Sequence, residues 1–288
     1  MTQGGGKIKP SEVVKDWALT PPTIFFRLQN ALANPNTSFK EFSVIIEKDP
    51  ALTVRLLKIV NSPMYGFSEE VQTIEHALNI IGTEQLSELA LATSVARQFT
   101  GIPRGLVDMD SFWRHAMGCG LAARFIAQQR KQENLESYYT AGMLQNMGSL
   151  ILFQKFPQQC VEIMRRCRET KEQIFDVERE ILGASHAKLG GTLLKKWNLP
   201  GRLVEPVLYH HRPALAKEYP IATAIVHVAD IMVCELKLGF TGDTAVSGPS
   251  EYAMKILGFT EWPMKELEEQ IKDKFYDLIF FSKDSMIY

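Results

Sequence analysis

The sequence predicts an all-α protein: an N-terminal helical lobe packed against a second helical bundle. Three observations carry that expectation. Apolar residues recur at three- and four-residue spacing along most of the 288 residues. No segment alternates with period two for long enough to build a sheet. Glycine, proline and short polar residues interrupt the helical pattern at intervals that suit helix ends.

Residues 1–20 begin glycine-rich, turn polar and run up to Pro21-Pro22, so they are read as a tail. From Thr23 the helical spacing begins. Leu52, Leu56, Ile59 and Val60 line one face of a helix that starts after Asp49-Pro50 and stops at Asn61-Ser62-Pro63. The Asn61-Ser62 turn reads either as a plain helix stop or as a surface feature for contacts. Two further helices, about 74–80 and 84–99, are joined through Gly82, which suits a helix end that needs positive φ. Thr100-Gly-Ile-Pro-Arg-Gly105 then breaks the pattern and marks a lobe boundary, giving a first lobe of 21–105.

A second lobe, 106–237, is predicted with helices near 111–130, 136–153, 157–168, 174–182, 185–197, 200–209 and 219–237. Supporting spacings include Leu121/Phe125, Ile174/Val177/Ile181 and Leu189/Leu193/Trp197. Residues 238–288 read as a linker (Gly239–Ser250) and a helical extension, with helices near 250–257 and 262–281.

Composition narrows the class. A hydrophobic content of 45% supplies one large core or two modest ones, which argues against disorder and fibrous structure. The net charge of −1 gives no general pull towards nucleic acid or anionic lipid. Arg165-Arg166, Arg168 and Lys195-Lys196 read as solvated helix faces, so a nucleic-acid partner is not expected. No apolar run approaches the roughly 20 residues of a membrane span, and the start lacks a signal-peptide stretch. A cytoplasmic location without membrane partners is the expectation, with Cys119, Cys160, Cys167 and Cys234 as reduced, packing thiols.

Five of the six histidines fall in the second lobe: His115, His186, His210, His211 and His227. With Asp230 they lie on several helices and can converge only inside a bundle. His227 and Asp230 are spaced to share a helix face, as a ligand with its companion or as a plain hydrogen-bonding pair; the plain version is favoured. One of His210-His211, at a helix end, is expected to point inward. His76 reads as an ordinary helix residue.

The run from Asp49 to Gly66 (DPALTVRLLKIVNSPMYG), followed by Ile74 to Gly82 (IEHALNIIG), resembles the HDOD domain, the HD-related output domain of bacterial signalling proteins. The likeness continues through Phe112-Trp-Arg-His115, Ala141 to Gly148, Glu180 to His186, Gly190 to Pro200, His210-His211 and Ala229-Asp230, covering about residues 20–235. It implies that the second bundle is HD-like. In catalytic HD phosphohydrolases a His, an adjacent His-Asp pair and a later Asp hold divalent metal that polarises phosphoryl oxygen and activates water. His115 and Asp230 match the first and last of these ligands; the central pair is matched by Gln145-Asn146.

Neutral amides bind divalent ions far less well than imidazole plus carboxylate. The resemblance therefore implies a degenerate site and a non-catalytic output or interaction module, with a signalling protein partner or a small ligand and no required cofactor. His186 and one of His210 or His211 match histidines that supplement the metal site of the related HD-GYP phosphodiesterases. A rearranged site holding Fe, Mn, Mg or Zn through His115, His186, His210 and Asp230, and hydrolysing phosphoesters, is the alternative. Otherwise His115, Gln145, Asn146, His186 and Asp230 form a satisfied buried network. The sequence carries no receiver, GGDEF-like or kinase segment that would name a circuit.

Overall fold

The structure is a computed structural model that describes residues 7–16, 22–95, 99, 101–103, 105–240, 248–262 and 264–282. Every regular element among them is helical. The chain divides into two compact units, one of residues 1–18 with 101–267 and the other of 19–100 with 268–288.

The second of these units is built from α2 (Thr23–Ala33), α3 (Phe39–Glu47), α4 (Pro50–Val60), α5 (Ile74–Ile81) and α6 (Thr83–Val95). Its helix starts are written locally. Ser38 and Glu41 form a reciprocal capping box on α3, and Asp49 caps α4 by accepting from the Leu52 amide, with Pro50 at the first helical position. Gly82 ends α5 at φ 96°. After α4 the Asn61 side chain bonds the Val71 backbone on both sides, Nδ2 donating to its carbonyl at 2.8 Å and Oδ1 accepting from its amide at 2.7 Å. Of the two readings of that turn, the geometry supplies a structural one: Asn61 fastens the loop that leads to α5.

The other unit holds α1 (Pro10–Asp16) and then α7 (Met109–Gln129), α8 (Leu135–Leu144), α9 (Met147–Lys155), α10 (Pro157–Thr170), α11 (Ile174–Leu182), α12 (His186–Lys196), α13 (Gly201–Tyr209), α14 (Pro220–Glu235) and α15 (Glu251–Leu257). The last helix, α16, runs Met264–Ser282. Residues 10–16, read from the sequence as tail, are helical and pack on α12, where Lys196 Nζ donates to the Val14 carbonyl at 2.8 Å. The linker predicted at 239–250 falls mostly on 241–247, outside the described residues.

α7 is the hub of this unit. It packs on α8 and α14 and buries residues almost all the way round, from Phe112 to Ala127. A helix apolar on every side belongs in the centre of a bundle. It approaches α8 closely because small residues face each other: a Cβ on Gly142 would stand 2.5 Å from the Cys119 carbonyl oxygen. No side chain fits there, so glycine is required by the approach itself.

One predicted helix is corrected. The stretch 136–153 is two helices, α8 and α9, broken at Gln145-Asn146. Both residues are buried, and Asn146 leaves helical geometry at φ −96°, ψ 10°. The apolar pattern runs through the break because α8 and α9 are each buried along nearly their whole length. Periodicity cannot locate a break between two helices buried on all sides.

Candidate functional site

Five elements bring the site residues together. α7 carries His115, the α8–α9 junction carries Gln145 and Asn146, the start of α12 carries His186, and α13 ends at His210-His211. α14 supplies Asp230. Ser185 caps α12 by accepting from the Lys188 amide, which fixes His186 at the first helical position.

Asp230 is the centre of the first half of the site. Its Oδ1 lies 2.9 Å from His115 Nε2 and accepts from Gln145 Nε2 at 2.7 Å and from the Cys119 thiol at 3.7 Å. Cys119 Sγ also lies 3.2 Å from His115 Nε2. Burial works to raise the Asp230 pKa, but the His115 hydrogen bond and charge, with His210 and His211 beyond, hold it well below the usual carboxylate range. Burial first, and then the Asp230 charge, push the Cys119 thiol well up.

The second half is a knot of three imidazoles. His186 Nδ1 lies 2.7 Å from Glu178 Oε2, which also accepts the His186 backbone N–H at 2.8 Å. The His186 and His211 Nε2 atoms are 2.9 Å apart. His210 Nδ1 donates to the Val207 carbonyl at 2.9 Å, leaving a buried Nε2 with no partner. Burial first, and then His186, push His210 down to about 3; His211 and His227 are lowered as well, again chiefly by burial. His210, His211 and His227 are therefore neutral at pH 7.

His227 faces elsewhere. Its Nδ1 donates to the His210 carbonyl at 2.6 Å and its Nε2 accepts from the Ser250 amide at 3.0 Å, so both nitrogens are used in holding the fold. His76 is exposed on α5. Arg165 is bonded to Glu169, and Arg166 to Glu172 and Glu180, so these charges of the basic cluster are paired.

Thus His115, Gln145 and Asp230 meet directly, as do His186, His210 and His211, while Asn146 is buried beside them without capping α9. Two participants went unrecognised in the sequence. Cys119 lies one helical turn after His115, a spacing that places both on one face, and Glu178 is a carboxylate buried on α11. Their placement was legible; their burial against the histidines was not.

The ligand set of the HD hydrolases does not fit the residues present. Gln145 turns its amide nitrogen, a donor, towards Asp230, and the carboxylate is already engaged by His115. Where that set has an imidazole and a second carboxylate, this chain has two neutral amides.

Comparisons with known proteins bear on the family and the fold. The model of the HDOD domain matches residues 19–213, which leaves His227 and Asp230 beyond the matched span. An uncharacterized protein of Treponema pallidum (strain Nichols) is 24% identical over 216 residues, 74% of this chain and 41% of that protein, so the chain spans about two fifths of that relative's length. An HDOD domain protein of unknown function from Geobacter sulfurreducens has the same fold, with a TM-score of 0.75 at 22% identity over 94% of this chain and 98% of that one. A candidate phosphohydrolase from Shewanella amazonensis SB2B gives 0.70 at 20% identity over 96% and 100%. At such identities the likeness establishes fold alone, and no described helix is long and apolar enough to cross a membrane. By the matched span and by the residues that carry it, the chain belongs to the HDOD domain family.

Proposed function

We propose that this chain is a cytoplasmic output module of bacterial signalling that acts by binding a partner protein or small ligand and does not hydrolyse phosphoesters. The observation that carries the reading is the 2.7 Å hydrogen bond from Gln145 Nε2 to Asp230 Oδ1. A hydrolytic centre of the HD kind holds its ion through imidazole and carboxylate ligands and keeps open positions for water and a phosphoryl oxygen. Here an amide donor stands at the position of a ligand, and the remaining carboxylate is satisfied by protein hydrogen bonds.

A second reading, a metal-dependent phosphohydrolase with a rearranged centre, is favoured by one observation. The Nδ1 atoms of His186 and His210 are held by Glu178 and the Val207 carbonyl, an arrangement that turns Nε2 lone pairs outward as metal ligands require. Imidazole ligands bind an ion but supply no negative charge to it.

Steady-state assays with phosphomonoesters and cyclic dinucleotides, in added Mn²⁺ or Fe²⁺, separate the two. The output reading expects wild type and Asp230→Asn to share one background rate. Turnover that Asp230→Asn abolishes would establish the hydrolase instead.

A further inference from the structure

The side chains of His115, Cys119 and Asp230 form a group that neither the output reading nor the HD ligand pattern uses as a unit. We infer that they are a binding site for a single thiophilic divalent ion of the zinc, cobalt and cadmium class. The inference rests on the reading of the chain as an output module and names the class of its small ligand.

Geometry comes first. One atom from each residue, Nε2, Sγ and Oδ1, lies within 4.8 Å of the others. The three edges of that triangle are 2.9 Å (N to O), 3.2 Å (N to S) and 3.7 Å (S to O). Bond lengths of about 2.0–2.3 Å in a tetrahedral zinc site make ligand-to-ligand edges of roughly 3.4–3.6 Å. Side-chain shifts of about half an ångström therefore convert this triangle into one face of a tetrahedron. The backbone need not move: His115 and Cys119 are one turn apart on α7, and Asp230 faces them from α14, which packs on α7.

A second observation is independent of the triangle. Gln145 is fully buried, and while its Nε2 holds Asp230, its Oε1 has no hydrogen-bond partner. Buried amide oxygens are rarely left so. An ion beside Asp230 gives that oxygen a cation to accept, directly or through a bound water. The Gln145 N–H meanwhile orients the ligating carboxylate, as outer hydrogen bonds do in metal sites.

The donor types then select the ion. One thiolate and one carboxylate balance a divalent charge, and the thiolate discriminates against Mg²⁺, which takes oxygen ligands. Binding is written as one exchange. The Cys119 S–H bond breaks and a metal–sulfur bond forms, the proton leaving to solvent. His115 moves its ring proton from Nε2 to Nδ1, so that the Nε2 lone pair ligates, and Asp230 ligates as the carboxylate it already is. This substitutes for the missing His-Asp pair as a holder of metal, with a thiolate that favours thiophilic ions over Mg²⁺.

The test uses the reduced full chain, stripped with chelator and titrated with Co²⁺. The expected result is a thiolate-to-cobalt absorption band in the near ultraviolet that saturates at one equivalent and is displaced by Zn²⁺. Cys119→Ser should lose the band, Asp230→Asn should weaken binding at least tenfold, and Cys160→Ser/Cys167→Ser should keep it. X-ray absorption of the zinc-loaded wild type, which needs no variant to fold, should count one sulfur at about 2.3 Å. A shell of nitrogen and oxygen only, or a band that survives Cys119→Ser, overturns the site. Failure to bind any ion sinks the site and leaves the output reading standing, whereas a bound ion with phosphoester turnover sinks the output reading and leaves the site.

Discussion

Gln145 and Asp230 are bound to one another but are not equally important to the fold. Removing the carboxylate in Asp230→Ala leaves three buried donors, on His115, Gln145 and Cys119, without their acceptor. Losses of this kind cost about 2–5 kcal/mol. Gln145→Leu removes one charge-assisted bond but also removes an unsatisfied Oε1, so its net effect should stay below about 1.5 kcal/mol. Urea midpoints of the two variants should fall in that order, and the reverse order would mean that the network is wrongly drawn. Acid supplies another residue-scale prediction. Folded His210 accepts a proton only at about 3, whereas the unfolded chain does so near the ordinary imidazole value of about 6.5. Between these values the unfolded state binds more protons, so stability is complete above about pH 6.5 and falls as pH drops. The slope is at most roughly 1.4 kcal/mol per pH unit for each buried imidazole, and His211 and His227 act in the same direction. Denaturation midpoints should decline from pH 7 to pH 5; a flat profile would contradict the neutral, buried assignment.

At the scale of elements, the site depends on how closely α9 meets α12. A Cβ on Gly148 would stand 2.7 Å from the Gly190 backbone nitrogen and nearer still to the His186 carbonyl oxygen. Backbone cannot give way as a flexible side chain can. Gly148→Ala should therefore destabilise by about 3 kcal/mol or fail to fold, seen as a lowered thermal midpoint, while the open Gly66 is limited only by its φ of 65°. The helices themselves were largely legible, since α7, α10 to α14 and α15 fall within a few residues of their predicted limits. Amphipathic faces and caps such as Asp49 and Ser185 are local and survive in sequence. The α8–α9 break was not legible, because nothing in a continuous apolar run separates one buried helix from two. The same holds for Glu178, whose role depends on α11 facing α12, a tertiary fact.

For the whole molecule, the fold class followed from pattern and from family likeness, whereas of the residues expected to converge, His115 meets Asp230, His186 meets His210 and His211, and His227 faces elsewhere. What the sequence could not supply was the orientation of the Gln145 amide, which decides whether Asp230 faces a ligand or a hydrogen-bond donor. That orientation underlies the claim that this HDOD chain regulates by binding. The most direct measurement is a single-turnover experiment with the Mn²⁺-treated chain in excess over a labelled cyclic dinucleotide, which registers even very slow chemistry. The predicted result is intact dinucleotide at the rate set by Asp230→Asn and by buffer alone. Cleavage by the wild type that Asp230→Asn does not show would contradict it.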